Sequence, residues 1–338
     1  MYTLNPKINN QISIWLITMF WIVSFMIVIG GLTRLTDSGL SITQWQLFTG
    51  ILPPLNEEDW ILYFKLYKEI PEFKLQNFNM TMNDFKFIFW WEWIHRILGR
   101  IIGIGFLIPL IYFSFRIKIS KLLNLYLIFL LICFQGFIGW YMVSSGLVDR
   151  VDVSHFRLSA HLFIAFLILS MIFWNYLKVK ENQIISTPIK KVIPFLFLIL
   201  IFVQIIIGAF VSGIDAGKVY NSWPLMGTSY FPDDNKFINL FRVSALSDPS
   251  LVQFIHRNLA YVIGFFYLLI FIKIYKDKMI DLYKSINLLG CFIILQIILG
   301  ILTIIYGAQI LLASMHQISS IFLVNSCIYF CHINTKSN

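Results

Sequence analysis

The chain has 338 residues, of which 58% are hydrophobic and 13% charged, with a net charge of +9. Composition this apolar excludes an ordinary soluble domain. The apolar residues come in long runs, and many basic ones fall in short loops between them. That distribution marks membrane topology and not a phosphate-binding face, so membrane lipid is the expected neighbour and nucleic acid is not.

Eight spans are predicted in chain order, over 13–32, 94–115, 122–143, 159–176, 193–211, 253–272, 286–305 and 313–331. The first is longer than a signal-peptide core and is read as uncleaved. Connections after spans 2, 4 and 6 are short and basic. With both termini they hold 13 Lys and Arg against 3 acids, leaving 13 (26 − 13) against 14 (17 − 3) on the other side. The positive-inside rule then puts both termini in the cytoplasm. The first outer loop, 33–93, reads as turns and short amphipathic helices. It ends in Trp90, Trp91 and Trp93, an expected interfacial belt. Cys133, Cys291, Cys327 and Cys331 all fall in spans and read as small buried hydrophobes.

The stretch Trp91-Glu92-Trp93-Ile94-His95-Arg96 opens span 2 with a carboxylate and an imidazole on one helix face. Ionisable groups at a membrane helix end are costly and propose a functional site. It recurs 161 positions later (256 − 95), where Ile255, His256, Arg257, Leu259 and Gly264 repeat Ile94, His95, Arg96, Leu98 and Gly103. Glu92 becomes Gln253. Gly30, Asp37, Gly39 and Trp45 likewise repeat as Gly208, Asp215, Gly217 and Trp223 at an offset of 178 (208 − 30), and Gln135 and Gly139 as Gln296 and Gly300. The expected architecture is an all-α polytopic membrane protein. Its eight helices form two tandem four-helix units, 1–180 and 181–338, related by a pseudo-two-fold axis along the membrane normal.

His95, His161, His256 and His316 open spans 2, 4, 6 and 8, two per unit. From His161 to Lys178 and from His256 to Lys273 there are 17 residues, roughly 25 Å of helix. From His95 to Arg116 there are 21 and from His316 to Lys336 there are 20, roughly 30 Å. All four therefore lie near the outer surface at similar depth. Paired histidines at equal depth in a four-helix unit are what axial ligation of one haem needs. Zinc is the weaker alternative, since no Cys or Asp is spaced to complete a tetrahedral site. His155 and His332 have no place in this pattern. Arg34, Arg96, Arg100 and Arg257 sit at the same outer level. They are candidate partners for haem propionates, with snorkelling to lipid headgroups as the competing role.

At these residues the sequence resembles the haem A synthase family over nearly its whole length. The resemblance is carried by Gly30-Gly31-Leu32-Thr33-Arg34-Leu35-Thr36-Asp37-Ser38-Gly39-Leu40-Ser41, by Thr49-Gly50-Ile51-Leu52-Pro53-Pro54, and by Phe85 to Arg96. The first outer loop lacks a cysteine pair, so the chain resembles the mitochondrial and proteobacterial branch. The resemblance implies oxidation of a haem O methyl to the formyl of haem A. It implies that His95 and His161 hold the substrate porphyrin, that Glu92 is catalytic, and that His256 and His316 hold a haem b cofactor. It also implies a bacterial inner membrane, haem O synthase and cytochrome oxidase assembly factors as partners, and an unidentified electron donor. A bis-histidine di-haem electron carrier and a haem transporter are the alternatives, and neither explains why only one unit keeps the carboxylate.

Overall fold

The computed structural model describes residues 2, 5–45, 49–180 and 188–335. Lys336, used above to gauge depth, and the start of the second repeat at 181 lie outside them. Among the described residues the regular structure is helical, with one isolated bridge between Met226 and Ser229. Eight helices are long and apolar enough to cross a membrane: α1 (Pro6–Leu35), α4 (Met82–Ser114), α5 (Ile119–Asp149), α6 (His155–Lys180), α7 (Val192–Gly213), α8 (Pro249–Lys276), α9 (Ile280–Ile305) and α10 (Ile310–Thr335). Two shorter helices, α2 (Glu57–Tyr67) and α3 (Pro71–Leu75), fold the first outer loop.

The helices run past most of their hydropathic limits, and in two of them a side-chain cap sets the start. The clearest case is α4. Its expected start was residue 94, but it begins twelve residues earlier (94 − 82) at a capping box, where the Thr81 hydroxyl and the Asp84 carboxylate satisfy each other's backbone N–H groups. The Asp248 carboxylate, followed by Pro249 at the first helical position, starts α8 in the same way. α2 begins at Asn56 with Glu57, Glu58 and Asp59 in its first turn, where the helix dipole favours them.

The chain divides into two compact units, Trp21–Ala165 and a second made of Met1–Phe20 with Phe166–Asn338. In the first, α4 packs on α5, and the outer loop folds over a core of Leu40, Ile42, Phe64, Tyr67, Ile70, Phe85, Ile88 and Phe89. Trp93 packs against this core, and Trp90 lies 5.9 Å from Trp60 and 5.4 Å from Trp93 between ring centroids. These two tryptophans thus close the loop's aromatic cluster and are more than an interfacial belt. In the second unit α7 packs on α8, α8 on α9, α9 on α10, and α10 returns to α7, a closed four-helix ring. Asn334 pins its end by exchanging two hydrogen bonds with the backbone of Ile189, at 2.9 and 3.0 Å.

The duplicated aspartates have a shared backbone reason. Asp37 follows α1 and Asp215 follows α7, and both adopt left-handed φ, +48° and +53°. Asp tolerates this region better than most residues, so it turns the chain out of the helix into the outer loop. The cysteines divide: Cys327 and Cys331 are buried as expected, while Cys133 and Cys291 face outward. A thiol is apolar enough for a lipid-facing position as well as a packed one.

Candidate functional site: two histidine pairs

In the first unit His95 of α4 and His161 of α6 face each other with ring centroids 6.5 Å apart. In the second, His256 of α8 and His316 of α10 stand 6.4 Å apart. Two imidazoles at such a separation could share one transition-metal ion. The ring Nδ1 atoms of His161, His256 and His316 are buried without a hydrogen-bond partner among the described residues. A buried polar atom left so is costly unless it serves a ligand, so both pairs fit an axially bound haem. Among the described residues no cluster of three or more His, Cys, Asp or Glu is placed to hold a metal ion.

The repeated glycines turn out to be histidine seats. A Cβ placed on Gly30 would lie 3.2 Å from the His95 ring. On Gly139, Gly208 and Gly300 it would lie 3.1 Å from the rings of His161, His256 and His316. Each imidazole therefore rests on the bare backbone of a neighbouring helix. One turn before the glycine, a glutamine amide donates to the histidine's own carbonyl: Gln135 to His161 at 3.0 Å, Gln204 to His256 at 3.0 Å and Gln296 to His316 at 3.1 Å. The fourth seat differs, because Met26 stands one turn before Gly30. Sequence comparison paired two of these glutamines but missed Gln204; the recurring Gln-x-x-x-Gly spacing was the signal.

Glu92 is only 3% exposed. Its Oε2 accepts from the Ser41 hydroxyl and the Ile42 N–H, each at 2.7 Å, and its Oε1 accepts from Arg96 at 2.6 and 3.1 Å. Charge-assisted donors at such distances hold a carboxylate in one orientation. Arg96 also donates to the Ile42 and Gln44 carbonyls, at 2.8 and 3.2 Å. In the second unit the loop positions correspond: Arg257 donates to the Tyr220 carbonyl at 3.0 Å and the Ser222 carbonyl at 2.9 Å, and Gln253 donates to Tyr220 at 3.1 Å. Both arginines thus clamp an outer loop to its helix, and only the first also neutralises an acid. Arg34 pairs with Asp37 at 2.6 Å, and Arg100 lies one turn beyond Arg96 on α4. His155 is the first residue of α6, its ring tilted against Phe156 with centroids 4.2 Å apart, and His332 is buried edge-on to Trp174 at 5.0 Å.

Residues 13–328 match the family model described as cytochrome oxidase assembly protein. A Pelagibacter ubique protein named Heme A synthase is 46% identical, covering all of both chains. Proteins of the same name from Rickettsia bellii and Rickettsia prowazekii are 41% and 40% identical, each over 98% of this chain and at least 99% of their own. Likeness of this extent, over essentially the whole length of each chain, means that the chain belongs to the haem A synthase family.

Proposed function

We propose that this protein is an oxidoreductase of the membrane that converts haem O to haem A for terminal oxidases. The observation that carries this reading is the unequal pair of sites: two matched histidine pairs, with a buried, fully bonded carboxylate beside one alone. Converting a ring methyl and one water molecule to a formyl group releases four electrons and four protons. Such a reaction needs a place for protons and for developing positive charge, and a fixed carboxylate provides both. A pair serving electron transfer alone needs neither, which is why Gln253 suffices in the second unit.

The roles divide along the repeat, at 180/181. His95 and His161 of residues 1–180 hold the substrate haem O, with Glu92 as the catalytic carboxylate. His256 and His316 of residues 181–338 hold haem b, which when bound supplies one-electron chemistry at that pair. Gly30, Gly139, Gly208 and Gly300 set ring positions, and the glutamines fix the histidine-bearing turns. Ser41 and Ile42 orient Glu92, so loop closure completes the site. We place the protein in a bacterial inner membrane with both termini cytoplasmic, supported by the distribution of basic residues. Its reaction implies a supplier of haem O upstream, haem A insertion into cytochrome oxidase downstream, and a redox partner that exchanges electrons with it.

Pigment extracted from cells that make haem O, with and without this protein, tests the reading. Haem A is expected only where the protein is present, and its absence there would overturn the activity.

A further inference from the structure

The two histidine pairs differ in charge as well as in their acid. Arg96 and Arg257 occupy corresponding positions, yet Arg96 is bound to Glu92 at 2.6 Å while Arg257 donates to backbone carbonyls alone. At this position the first pair therefore lacks the uncompensated cation that the second possesses. Arg157 lies on α6 four residues before His161, one turn outward on the same side of the helix. It is half-buried. Its Nη1 donates to the Ser145 hydroxyl and its Nη2 to the Tyr141 hydroxyl at 3.3 Å, and its guanidinium carbon stands 4.6 Å from the Tyr141 ring centroid. Among the described residues no carboxylate pairs with it. Tyr141 and Ser145 sit on α5 just beyond Gly139, the seat of His161. None of this recurs in the second unit: four residues before His316 stands Leu312, and Leu302 and Tyr306 follow Gly300 where Tyr141 and Ser145 follow Gly139.

We propose that Arg157, steadied by Tyr141 and Ser145, binds a propionate carboxylate of the substrate porphyrin at the His95–His161 pair. The proposal rests on the reading of that pair as the haem O site. An anionic substrate entering a site of low dielectric needs a cation, and on α4 Arg96 is already neutralised by Glu92. Two of the guanidinium's five N–H donors are occupied by the hydroxyls, and the remainder of the fork suits a planar carboxylate. The Tyr141 ring face holds the guanidinium plane in place without neutralising it. Arg157 was not among the sequence candidates because its partners are a tyrosine and a serine on another helix. Its four-residue spacing from His161 was the available signal.

The test uses the full-length protein purified from cells unable to make haem O, titrated with ferric haem O or its propionate dimethyl ester. The signal is the Soret change that His161→Ala abolishes. Wild-type protein is expected to bind the diacid at least tenfold more tightly than the ester. Arg157→Gln is expected to lose about tenfold for the diacid, the worth of a charge-assisted hydrogen bond, and less than twofold for the ester. Unchanged diacid binding in Arg157→Gln, or equal losses for diacid and ester, would overturn the proposal and leave Arg157 as a contact for lipid headgroups. If wild-type protein shows no His161-dependent signal with haem O, the assignment of the substrate site fails first, and Arg157 with it. Should Arg157→Gln not accumulate, Arg157→Lys replaces it, with the diacid preference expected to narrow but persist; wild-type indifference to esterification overturns the proposal without any variant.

Discussion

Glu92 and Arg96 form an ion pair 2.6 Å long within one helix, and His95 lies between them in the chain. The same carboxylate is anchored by Ser41 and Ile42, about fifty residues earlier in the chain, so the outer loop and the site are one structure. Glu92→Gln keeps the shape but replaces an acceptor oxygen by an amide that would confront either the Arg96 guanidinium or the Ile42 N–H. We expect membrane insertion and haem b content to be retained and haem A formation to fall about a hundredfold or more, the usual range for a lost acid–base group. Pigment analysis of the variant checks this; a normal haem A yield would reduce Glu92 to a loop anchor. The converse change, Gln253→Glu, is expected to give the second unit no activity.

For the second pair, His256→Ala or His316→Ala is expected to remove the bound haem b or shift its low-spin absorbance, because one strong-field ligand is lost. Visible spectra of the purified variants decide the point. Two unchanged low-spin spectra would show that these histidines are not ligands.

How much of this was legible in the sequence differs by level. The eight spans and the histidine pairs were legible because apolar runs and the repeat are both one-dimensional signals. Helix ends were not: α4 starts at Met82 because Thr81 caps it, and hydropathy is blind to caps. Glu92 was found by its spacing from His95, but its burial depends on Ser41 and Ile42, whose approach is a tertiary event. Gly139 and Gly300 were visible as matched letters, and only the 3.1 Å approach of the histidine rings says why no side chain fits there. Arg96 and Arg257 were read as equals, and their different partners separate them.

That approach yields a third prediction. Gly300→Val would press branched carbons against the His316 ring, with a cost of about 1–3 kcal/mol for overpacking. The ring is expected to rotate away, so haem b is lost or its spectrum altered although His316 itself is present. Gly264→Ala serves as control, since its Cβ would meet only Ile297 at an ordinary 3.8 Å. Equal spectra for the two variants would remove the seat role of Gly300.

The fourth prediction concerns Glu72, an outer-loop acid on α3 that is 3% exposed and whose Oε2 has no hydrogen-bond partner among the described residues. Burial raises its pKa from the ordinary 4.5 to about 8, with repulsion from Glu92, Asp152 and Asp37 adding to the shift and the Tyr67 hydroxyl opposing it. Asn77 reaches its other oxygen only at 3.5 Å. Because the folded loop binds this proton more tightly than the unfolded chain, the folded state holds more protons between about pH 4.5 and 8. Stability of the loop must then fall as pH rises through that window, and be greatest below it. Hydrogen exchange in α2 and α3, corrected for the intrinsic rate, is expected to show opening that grows easier from pH 5 to 8 in the wild type. Glu72→Gln, which imitates the protonated acid, is expected to flatten that dependence while leaving protection near pH 5 unchanged. A slope identical in the two proteins would assign the pH response to another group and leave Glu72 ionised within its pocket.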